Sequence, residues 1–203
     1  MKLYSMPSSG NSYKIRLIMA LLGIAYDHIA CEVNSDALDQ AKTEGKLPLG
    51  KLPALHLDDG NILTESGAIL WFLAENTALL SDDPLKRAGI LEWMFFEQNR
   101  MEPVIAVRAS LNSYAHLAEQ ATPERMADLL TAGNALFGLL EAHLKEHDWL
   151  VGDAPSIADI SVYGYTHSSG TRGGYDMSLF PAINAWCARM TKLDGYVALD
   201  HIP

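Results

Sequence analysis

The stretch KLPALHLDDGNILTESGAIL, residues 51–70, carries the strongest local structural signals in the chain. Residues 53–57 and 61–63 are candidate β-strands, and the Asp-Asp-Gly between them favours a tight hairpin turn. The segment that follows, residues 66–75, is predicted to be a helix. The stretch therefore predicts two antiparallel strands followed by a helix.

The residues before this stretch supply two further strands and one helix. Strands are predicted at residues 2–5 and 27–30, and a helix is predicted at residues 12–22, which Gly23 ends. A strand-helix-strand beginning that is followed by a hairpin and a helix fits a small mixed sheet covered by helices. We therefore expect an α/β domain over residues 1–78.

Beyond a turn-like linker at residues 79–84, the sequence changes to long amphipathic segments. Four helices are predicted, at residues 86–118, 123–146, 157–167 and 181–192. The third helix begins with a capping box, in which Ser156 and Asp159 each bind the other's backbone amide. We therefore expect an all-helical domain over residues 86–203.

The composition limits the classes of partner. The 203 residues carry a formal net charge of −10 with only 15 Lys and Arg, whereas binding to nucleic acid or anionic lipid needs clustered cations. The apolar-dominated run at residues 17–26 is too short to span a bilayer, and the chain does not begin with a signal-peptide pattern. We therefore expect a cytoplasmic protein that binds neither nucleic acid nor membrane.

Two cysteines, Cys31 and Cys187, lie far apart in the chain and have no CxxC or Cys/His spacing around them. Such spacing indicates neither a disulfide framework nor a zinc site. We therefore expect both cysteines to act as small apolar side chains, and we expect no bound metal.

The stretch MPSSGNSYKIR, residues 6–16, joins the first predicted strand to the first predicted helix. It brings several hydroxyls, one amide and free backbone N–H groups to a helix N-terminus, which favours a bound anion. Ser and Asn are also preferred helix caps, so in the alternative interpretation Asn11 or Ser12 merely caps the helix. The junction by itself leaves both interpretations open.

Five motifs together resemble the glutathione S-transferase family, in the family's own order. They are KLPAL at residues 51–55, Asp59-Gly60, a Glu65-Ser66 pair that opens a helix, GDAPSIAD at residues 152–159 and FPAINAW at residues 180–186. The resemblance covers nearly the whole chain and extends to bacterial-type members with a serine or asparagine junction. It implies a thioredoxin-like α/β N-terminal domain, an all-α C-terminal helical domain and, usually, a homodimer. Leu47 departs from the family, since many members have asparagine there.

The resemblance also implies a site for glutathione, as co-substrate, in the first domain. Glu65 would pair with the ligand's ammonium group, while Ser66 and the helix N-terminal amides would bind its carboxylate. A cis Leu52-Pro53 bond would present the Leu52 backbone to the ligand's peptide middle, as an added strand does. The base rate for X-Pro bonds favours trans instead. Lys51 is the candidate partner of the glycyl carboxylate.

The reactive sulfur must come from the ligand, because residues 9–12 contain no cysteine. A free thiol has a pKa of about 8.5, and lowering it by about 2 units takes about 2.7 kcal/mol. One hydrogen bond to a charged group contributes about 1.5–3 kcal/mol and a helix N-terminus about 0.3–1 kcal/mol. One donor plus the helix end is therefore sufficient. The candidate catalytic donors are Ser9 first, Asn11 second and Ser12 third.

The family places its electrophile pocket between this junction and the helical domain. The candidate lining residues are Met6, Ser8, Met101, Ile105, Arg108 and Tyr163. A cation at Arg108 favours an anionic or nitro-bearing electrophile. Gln98 and Asn99 are candidates for reaching the glutathione of the second subunit.

These expectations describe a detoxification enzyme that stabilises the glutathione thiolate for attack on a small hydrophobic electrophile. Three alternatives stay open. The Ser8-Ser9 pair resembles the maleylacetoacetate isomerase subgroup, which predicts a glutathione-dependent isomerase, although Glu65 stands where that subgroup usually has glutamine. The other two are glutathione-linked reduction of disulfides or peroxides, and a non-catalytic glutathione transferase-like binding module.

Overall fold

The computed structural model describes residues 1–203, which form two compact units. The first unit contains residues 1–80 together with residues 191–203, and the second contains residues 81–190. The boundary after residue 80 lies in the predicted linker. Sequence analysis assigned residues 191–203 to the helical domain, whereas in the structure they belong to the first unit.

The first unit is a four-stranded mixed sheet with three helices, which confirms the predicted fold class. Its elements in order are β1 (Lys2–Ser5), α1 (Gly10–Leu21), β2 (Asp27–Ala30), α2 (Asp36–Thr43), β3 (Ala54–His56), β4 (Ile62–Thr64) and α3 (Ser66–Ala74). The strand order is β2-β1-β3-β4. β1 runs parallel to β2 and antiparallel to β3, and β3 runs antiparallel to β4. Sequence analysis did not predict α2.

The middle of the sheet is apolar and buried. Leu3 on β1 pairs with Leu55 on β3, and Leu55 pairs with Leu63 on β4. Leu3 and Leu55 have no exposed surface, and burial of such a side chain stabilises the fold by about 1.5–3 kcal/mol. Helices α1 and α3 pack against each other. This packing fixes the end of β1 and the beginnings of α1 and α3, where the predicted site residues lie.

Residues 191–203 pack with the first unit through side chains of α1. The Tyr13 hydroxyl donates to the Val197 carbonyl at 2.8 Å, and the Arg16 guanidinium donates to the Leu199 carbonyl at 2.9 Å. Arg16 itself is 1% exposed. These long-range hydrogen bonds explain why the end of the chain belongs with the sheet.

The second unit is all-helical. Its elements are α4 (Pro84–Phe96), a π-helix (Glu97–Ala106), α5 (Val107–Ser113), a 3-10 helix (Ala115–Gln120), α6 (Pro123–Leu144), α7 (Ile157–Thr166), α8 (Ser169–Gly173), a second 3-10 helix (Met177–Leu179) and α9 (Pro181–Met190). The helix predicted at residues 86–118 is therefore four elements. Pro103, which has no N–H to donate, lies in the π-helical part. No helix of either unit is long and apolar enough to cross a membrane.

The predicted capping box is present at the start of α7. The amide and hydroxyl of Ser156 donate to Asp159 Oδ2 at 2.9 and 3.1 Å, and the Ala158 amide donates to Ser156 Oγ at 3.2 Å. Asp159 Oδ1 accepts from the Leu150 amide at 3.1 Å and from Trp186 Nε1 at 3.0 Å. This fully buried carboxylate therefore connects α7 to the preceding loop and to α9.

Candidate functional site

The junction between β1 and α1 begins at Met6 and ends at the helix cap, Ser9. Ser9 Oγ accepts a hydrogen bond from the Ser12 amide at 3.4 Å, and Ser12 Oγ accepts one from the Met6 amide at 3.0 Å. Ser12 is fully buried, whereas Ser9 is half-buried and keeps its O–H proton for donation. The Ser12 hydroxyl therefore closes the loop, and the structure removes Ser12 from the candidate thiol donors.

Glu32 and Arg16 hold the junction from two sides. The amide and hydroxyl of Ser8 donate to the Glu32 carboxylate at 3.1 and 2.8 Å. Arg16 donates to the carbonyls of Met6 and Pro7 at 3.3 and 2.9 Å. Burial lowers the pKa of the Arg16 guanidinium, and the charge of Glu32 opposes that change. The Ser8 hydroxyl is thus bound to Glu32, a residue that sequence analysis missed.

Asn11 connects the junction to the beginning of α3. Its Oδ1 atom accepts a hydrogen bond from Lys14 Nζ at 2.8 Å and another from Ser66 Oγ at 3.3 Å. Asn11 is half-buried, Ser66 is 4% exposed and Lys14 has no exposed surface. The structure therefore brings together two predicted site residues that are 55 positions apart, and it adds a buried lysine that sequence analysis did not identify.

Glu65 has an unusual backbone at the start of α3. Its φ and ψ angles are 63° and 117°, a sparsely populated region that costs a non-glycine residue about 1–3 kcal/mol. Its side chain is exposed, and the first turn of α3 has no side-chain cap. The free N–H groups of that turn favour an anion. Such local strain is typical of ligand-binding positions.

The predicted cis peptide bond is present between Leu52 and Pro53. The family resemblance therefore predicted this bond correctly, where the base rate for proline did not. Pro53 is buried and directly precedes β3, Leu52 is half-buried, and Lys51 is exposed. The contacts of Lys51 and of the Leu52 backbone with glutathione stay predictions.

Three of the predicted electrophile-pocket residues belong to the core of the helical unit. Met101 is 1% exposed, Ile105 has no exposed surface and Tyr163 is 2% exposed. A side chain without accessible surface does not line an open pocket, so the structure assigns these residues to packing. Met6, on the junction, is half-buried.

Arg108 is also bound inside the helical unit. Its Nε atom donates to the Gly173 carbonyl at 2.6 Å, and a terminal nitrogen donates to the Met126 carbonyl. The guanidinium carbon lies 5.5 Å from the centre of the Tyr175 ring. Burial raises the pKa of Tyr175 to about 12, although the charge of Arg108 opposes the rise. Arg108 therefore has a structural role in the helical unit, and its role toward an electrophile stays a prediction.

The helical unit has a half-open cavity of about 250 Å³. Its lining is apolar, polar and charged, and it includes Glu102, Ala106, Ser110, Arg125 and Tyr165. Glu102 and Ala106 each directly follow a predicted pocket residue. Because neighbouring residues of a helix point to different faces, the cavity lies on a different face of this segment from Met101 and Ile105. The volume is just below the usual range of about 300–1,000 Å³, so the cavity suits a small molecule.

Neither cysteine of the protein is an activated nucleophile. Burial raises the pKa of the Cys31 thiol, and it raises that of the Cys187 thiol to about 12. A thiol with a raised pKa carries little of the reactive thiolate at neutral pH. Thiol chemistry at the junction therefore needs the thiol of a bound molecule. Residues 1–203 contain no cluster of three or more His, Cys, Asp or Glu that could hold a metal ion.

The fold is that of the glutathione S-transferase family, and family comparisons agree. The model of the glutathione S-transferase N-terminal domain matches residues 3–80, and that of the C-terminal domain matches residues 123–189. A possible glutathione S-transferase from Rhodopseudomonas palustris has a solved structure with a TM-score of 0.91 and 38% identity, covering 100% of this chain and 90% of that one. The chain belongs to the glutathione S-transferase family.

Relatives within the family have different activities. Disulfide-bond oxidoreductase YfcG of Escherichia coli (strain K12) is 30% identical, and the matched region covers 93% of this chain and 88% of that protein. Maleylacetoacetate isomerase of Pseudomonas aeruginosa is 28% identical, and the matched region covers 90% of this chain and 87% of that protein. A glutathione transferase from Pseudomonas putida, solved with one glutathione disulfide per subunit, has a TM-score of 0.81 and 25% identity, with coverage of 96% and 87%. The named activities of these relatives therefore differ, and the Pseudomonas putida protein binds glutathione disulfide.

Proposed function

We propose that this protein is a glutathione transferase that binds glutathione in its first unit and adds the glutathione thiolate to a small electrophile. The observation that carries the proposal is the hydrogen bond from Ser66 Oγ to Asn11 Oδ1 at 3.3 Å. It joins the beginning of α3, which suits the amino-acid end of glutathione, to the junction, which suits its thiol. Partners for two chemically different ends of one ligand therefore lie in one hydrogen-bonded site.

The amino-acid end of glutathione binds at the beginning of α3. The exposed Glu65 carboxylate pairs with the ammonium group, while the free amides of the first turn, including that of Ser66, bind the carboxylate. The single Ser66 hydroxyl proton stays on Asn11 Oδ1. The strained backbone of Glu65 supports this role, because strain persists where binding compensates for it. Leu52 contributes backbone groups to the peptide middle of the ligand, and Lys51 binds the glycyl carboxylate.

The thiol end binds at the junction, where Ser9 or Asn11 donates a hydrogen bond to the sulfur. The donor and the N-terminus of α1 lower the thiol pKa, so the proton is released to solvent near neutral pH. The sulfur electron pair then forms a bond to an electrophilic carbon. A leaving group departs with the electron pair of its own bond, or an attacked double bond takes up a proton. Proximity of the two substrates supplies the rest of the acceleration.

The cavity of the helical unit is a candidate site for a small second ligand. The apolar part of the lining favours a hydrophobic molecule, and the size of about 250 Å³ limits it to a small one. None of Met101, Ile105, Arg108 and Tyr163 lines this cavity.

Glutathione binding is tested with a Glu65→Ala variant. Loss of a charge-assisted bond of about 1.5–3 kcal/mol weakens glutathione binding by about ten- to a hundredfold, as measured by calorimetry. Glu44→Ala, at an exposed position of the same unit, is the matched control and leaves binding unchanged. Equal affinities of wild type and Glu65→Ala would show that the ligand does not bind at α3. Turnover of a dinitro-substituted aryl chloride, followed by absorbance, tests the transferase step.

A second candidate function is reduction of disulfides by glutathione. It is favoured by the 30% identity to disulfide-bond oxidoreductase YfcG and by the raised pKa values of both cysteines. Two glutathione molecules would supply the electrons: one thiolate attacks the substrate disulfide, and the second resolves the mixed disulfide to give glutathione disulfide and two substrate thiols. Turnover of a small organic disulfide that exceeds turnover of aryl chlorides would favour this function.

The protein is further proposed to form a homodimer. Four large apolar side chains of the helical unit are exposed: Leu85 at 81%, Leu179 at 62%, Phe95 at 60% and Leu139 at 50%. Association of two chains would remove such side chains from water, which is favourable. Light scattering is expected to give twice the chain mass of 22.2 kDa, and Phe95→Glu is expected to give the single-chain mass. A wild-type mass of one chain would contradict the dimer.

A further inference from the structure

Lys14 is an unusual residue because a lysine is almost never fully buried. It lies in the second turn of α1 and has no exposed surface. Burying an ammonium group is costly unless it is hydrogen-bonded. Lys14 Nζ donates to Asn11 Oδ1 at 2.8 Å. The buried charge is therefore directed at the side chain that we place beside the glutathione thiol.

The contacts of Asn11 fix which way its amide is turned. An asparagine amide accepts through its oxygen and donates through its NH2 group, and the two look alike in shape. An ammonium group has only donors, so it selects the oxygen. Ser66 Oγ donates to the same oxygen at 3.3 Å. With two donors on Oδ1, the NH2 group is held on the opposite edge of the amide.

We propose that Lys14 is a positioning residue that acts through Asn11, holding the Asn11 amide so that its NH2 group donates to the sulfur of bound glutathione. This inference rests on the proposed function and names the donor within it. The ammonium group also polarises the amide, which strengthens the hydrogen bond that the NH2 group donates. A thiolate has only acceptor sites, so an amide turned the other way would repel it.

Ser9 lacks such an orienting contact. Its hydroxyl accepts from the Ser12 amide at 3.4 Å, which leaves the O–H free to rotate about its own bond. Asn11 is instead held by two donors on one atom, one of them charged. The preference for Ser9 over Asn11, which sequence analysis stated, is therefore reversed by the observed hydrogen bonds.

The test uses the full-length protein with Lys14→Met, Lys14→Arg and Asn11→Asp variants. Methionine fills the buried space without a donor, and arginine keeps a donor. Aspartate keeps the shape of asparagine and accepts from Lys14, but it cannot donate to sulfur. Ultraviolet difference titration gives the thiol pKa of bound glutathione. Calorimetry with S-methylglutathione, which has no ionisable thiol, gives binding that does not depend on thiolate.

We expect Lys14→Met to raise the bound thiol pKa by about one unit, a tenfold loss of thiolate fraction below the pKa. S-Methylglutathione affinity should change by less than about threefold, since its amino-acid end binds at α3. Lys14→Arg should keep the bound thiol pKa close to that of wild type. Asn11→Asp should abolish the lowering of the thiol pKa, because it places a negative charge beside the sulfur.

Two results would overturn the role of Lys14. The first is an unchanged thiol pKa in Lys14→Met while S-methylglutathione still binds. The second is a loss of both S-methylglutathione affinity and thermal stability in Lys14→Met, which would show that the lysine is merely structural. If Lys14→Met does not fold, Asn11→Asp decides alone, and a low thiol pKa in that variant overturns the proposal. Failure of the wild type to bind S-methylglutathione would instead overturn the proposed function.

Discussion

Replacing Asp159 by asparagine tests how strongly a buried carboxylate organises the helical unit. Each oxygen of Asp159 accepts two hydrogen bonds, Oδ1 from the Leu150 amide and Trp186 Nε1, and Oδ2 from the amide and hydroxyl of Ser156. Asparagine has the same shape but carries NH2 in place of one oxygen. The less costly orientation turns the NH2 group toward Ser156, whose hydroxyl then accepts. The Ser156 amide is left without an acceptor.

The cost follows from these contacts. One buried amide without a partner costs about 1–3 kcal/mol, and three hydrogen bonds to a charged group each become neutral bonds that are weaker by about 1 kcal/mol. Part of this cost is recovered because asparagine carries no charge to bury. Burial disfavours the charged form of Asp159 and raises its pKa, although the hydrogen bonds to the carboxylate lower it. We expect a net destabilisation of about 3 kcal/mol, which lowers Tm by about 6–12 °C in a chain of this size.

The assay is thermal unfolding at pH 8, followed by circular dichroism. Asp153→Asn is the matched control, because Asp153 is exposed in the same loop, and its unfolding free energy should change by less than about 0.5 kcal/mol. A Tm for Asp159→Asn within about 2 °C of wild type, or a shift no larger than that of the control, would refute the assignment of Asp159 as the acceptor that joins α7 to α9.

Three further changes test other parts of the molecule. Ser110→Trp narrows the cavity and should raise KM for the electrophile about tenfold without changing KM for glutathione; equal effects on both, in steady-state kinetics, would argue against an electrophile there. Arg16→Met leaves buried junction carbonyls without a donor and should lower the urea unfolding free energy by about 3 kcal/mol. Cys31→Ala combined with Cys187→Ala should keep turnover. Burial raises the pKa of the Cys187 thiol to about 12. In the wild type, the rate of Cys187 alkylation should therefore rise about tenfold per pH unit up to pH 11.

The strands and the fold class could be predicted because short-range signals agree with tertiary packing. β1 and β2 have the predicted bounds, and β3 and β4 lie within two residues of them at each end. The Asp-Gly turn sets the hairpin, and apolar residues of these strands are buried on both faces of the sheet. The capping box of Ser156 and Asp159 was equally predictable, since the two residues act within one helical turn.

The elements that sequence analysis missed have weaker or conflicting signals. α2 is eight residues long and buries only Leu38 and Ala41, too few apolar positions to display a helical period. The π-helix places one extra residue in each turn of a longer helical segment, and this changes which residues face the cavity. A regular helical pattern could not reveal that Glu102, and not Met101, has access to the cavity.

The candidate thiol donors show why residue types alone could not define the site. Sequence analysis began the first helix at Ser12, which made Ser12 a cap or a donor. The helix begins at Gly10, so Ser9 is the cap and Ser12 lies three residues later, turned into the protein. A shift of two residues thus removes one candidate and leaves Asn11 in the first turn. Its orientation is then decided by Lys14 and by Ser66, a residue distant in sequence. That second contact exists only because α1 packs against α3, so the choice of Asn11 as the proposed donor depends on the fold.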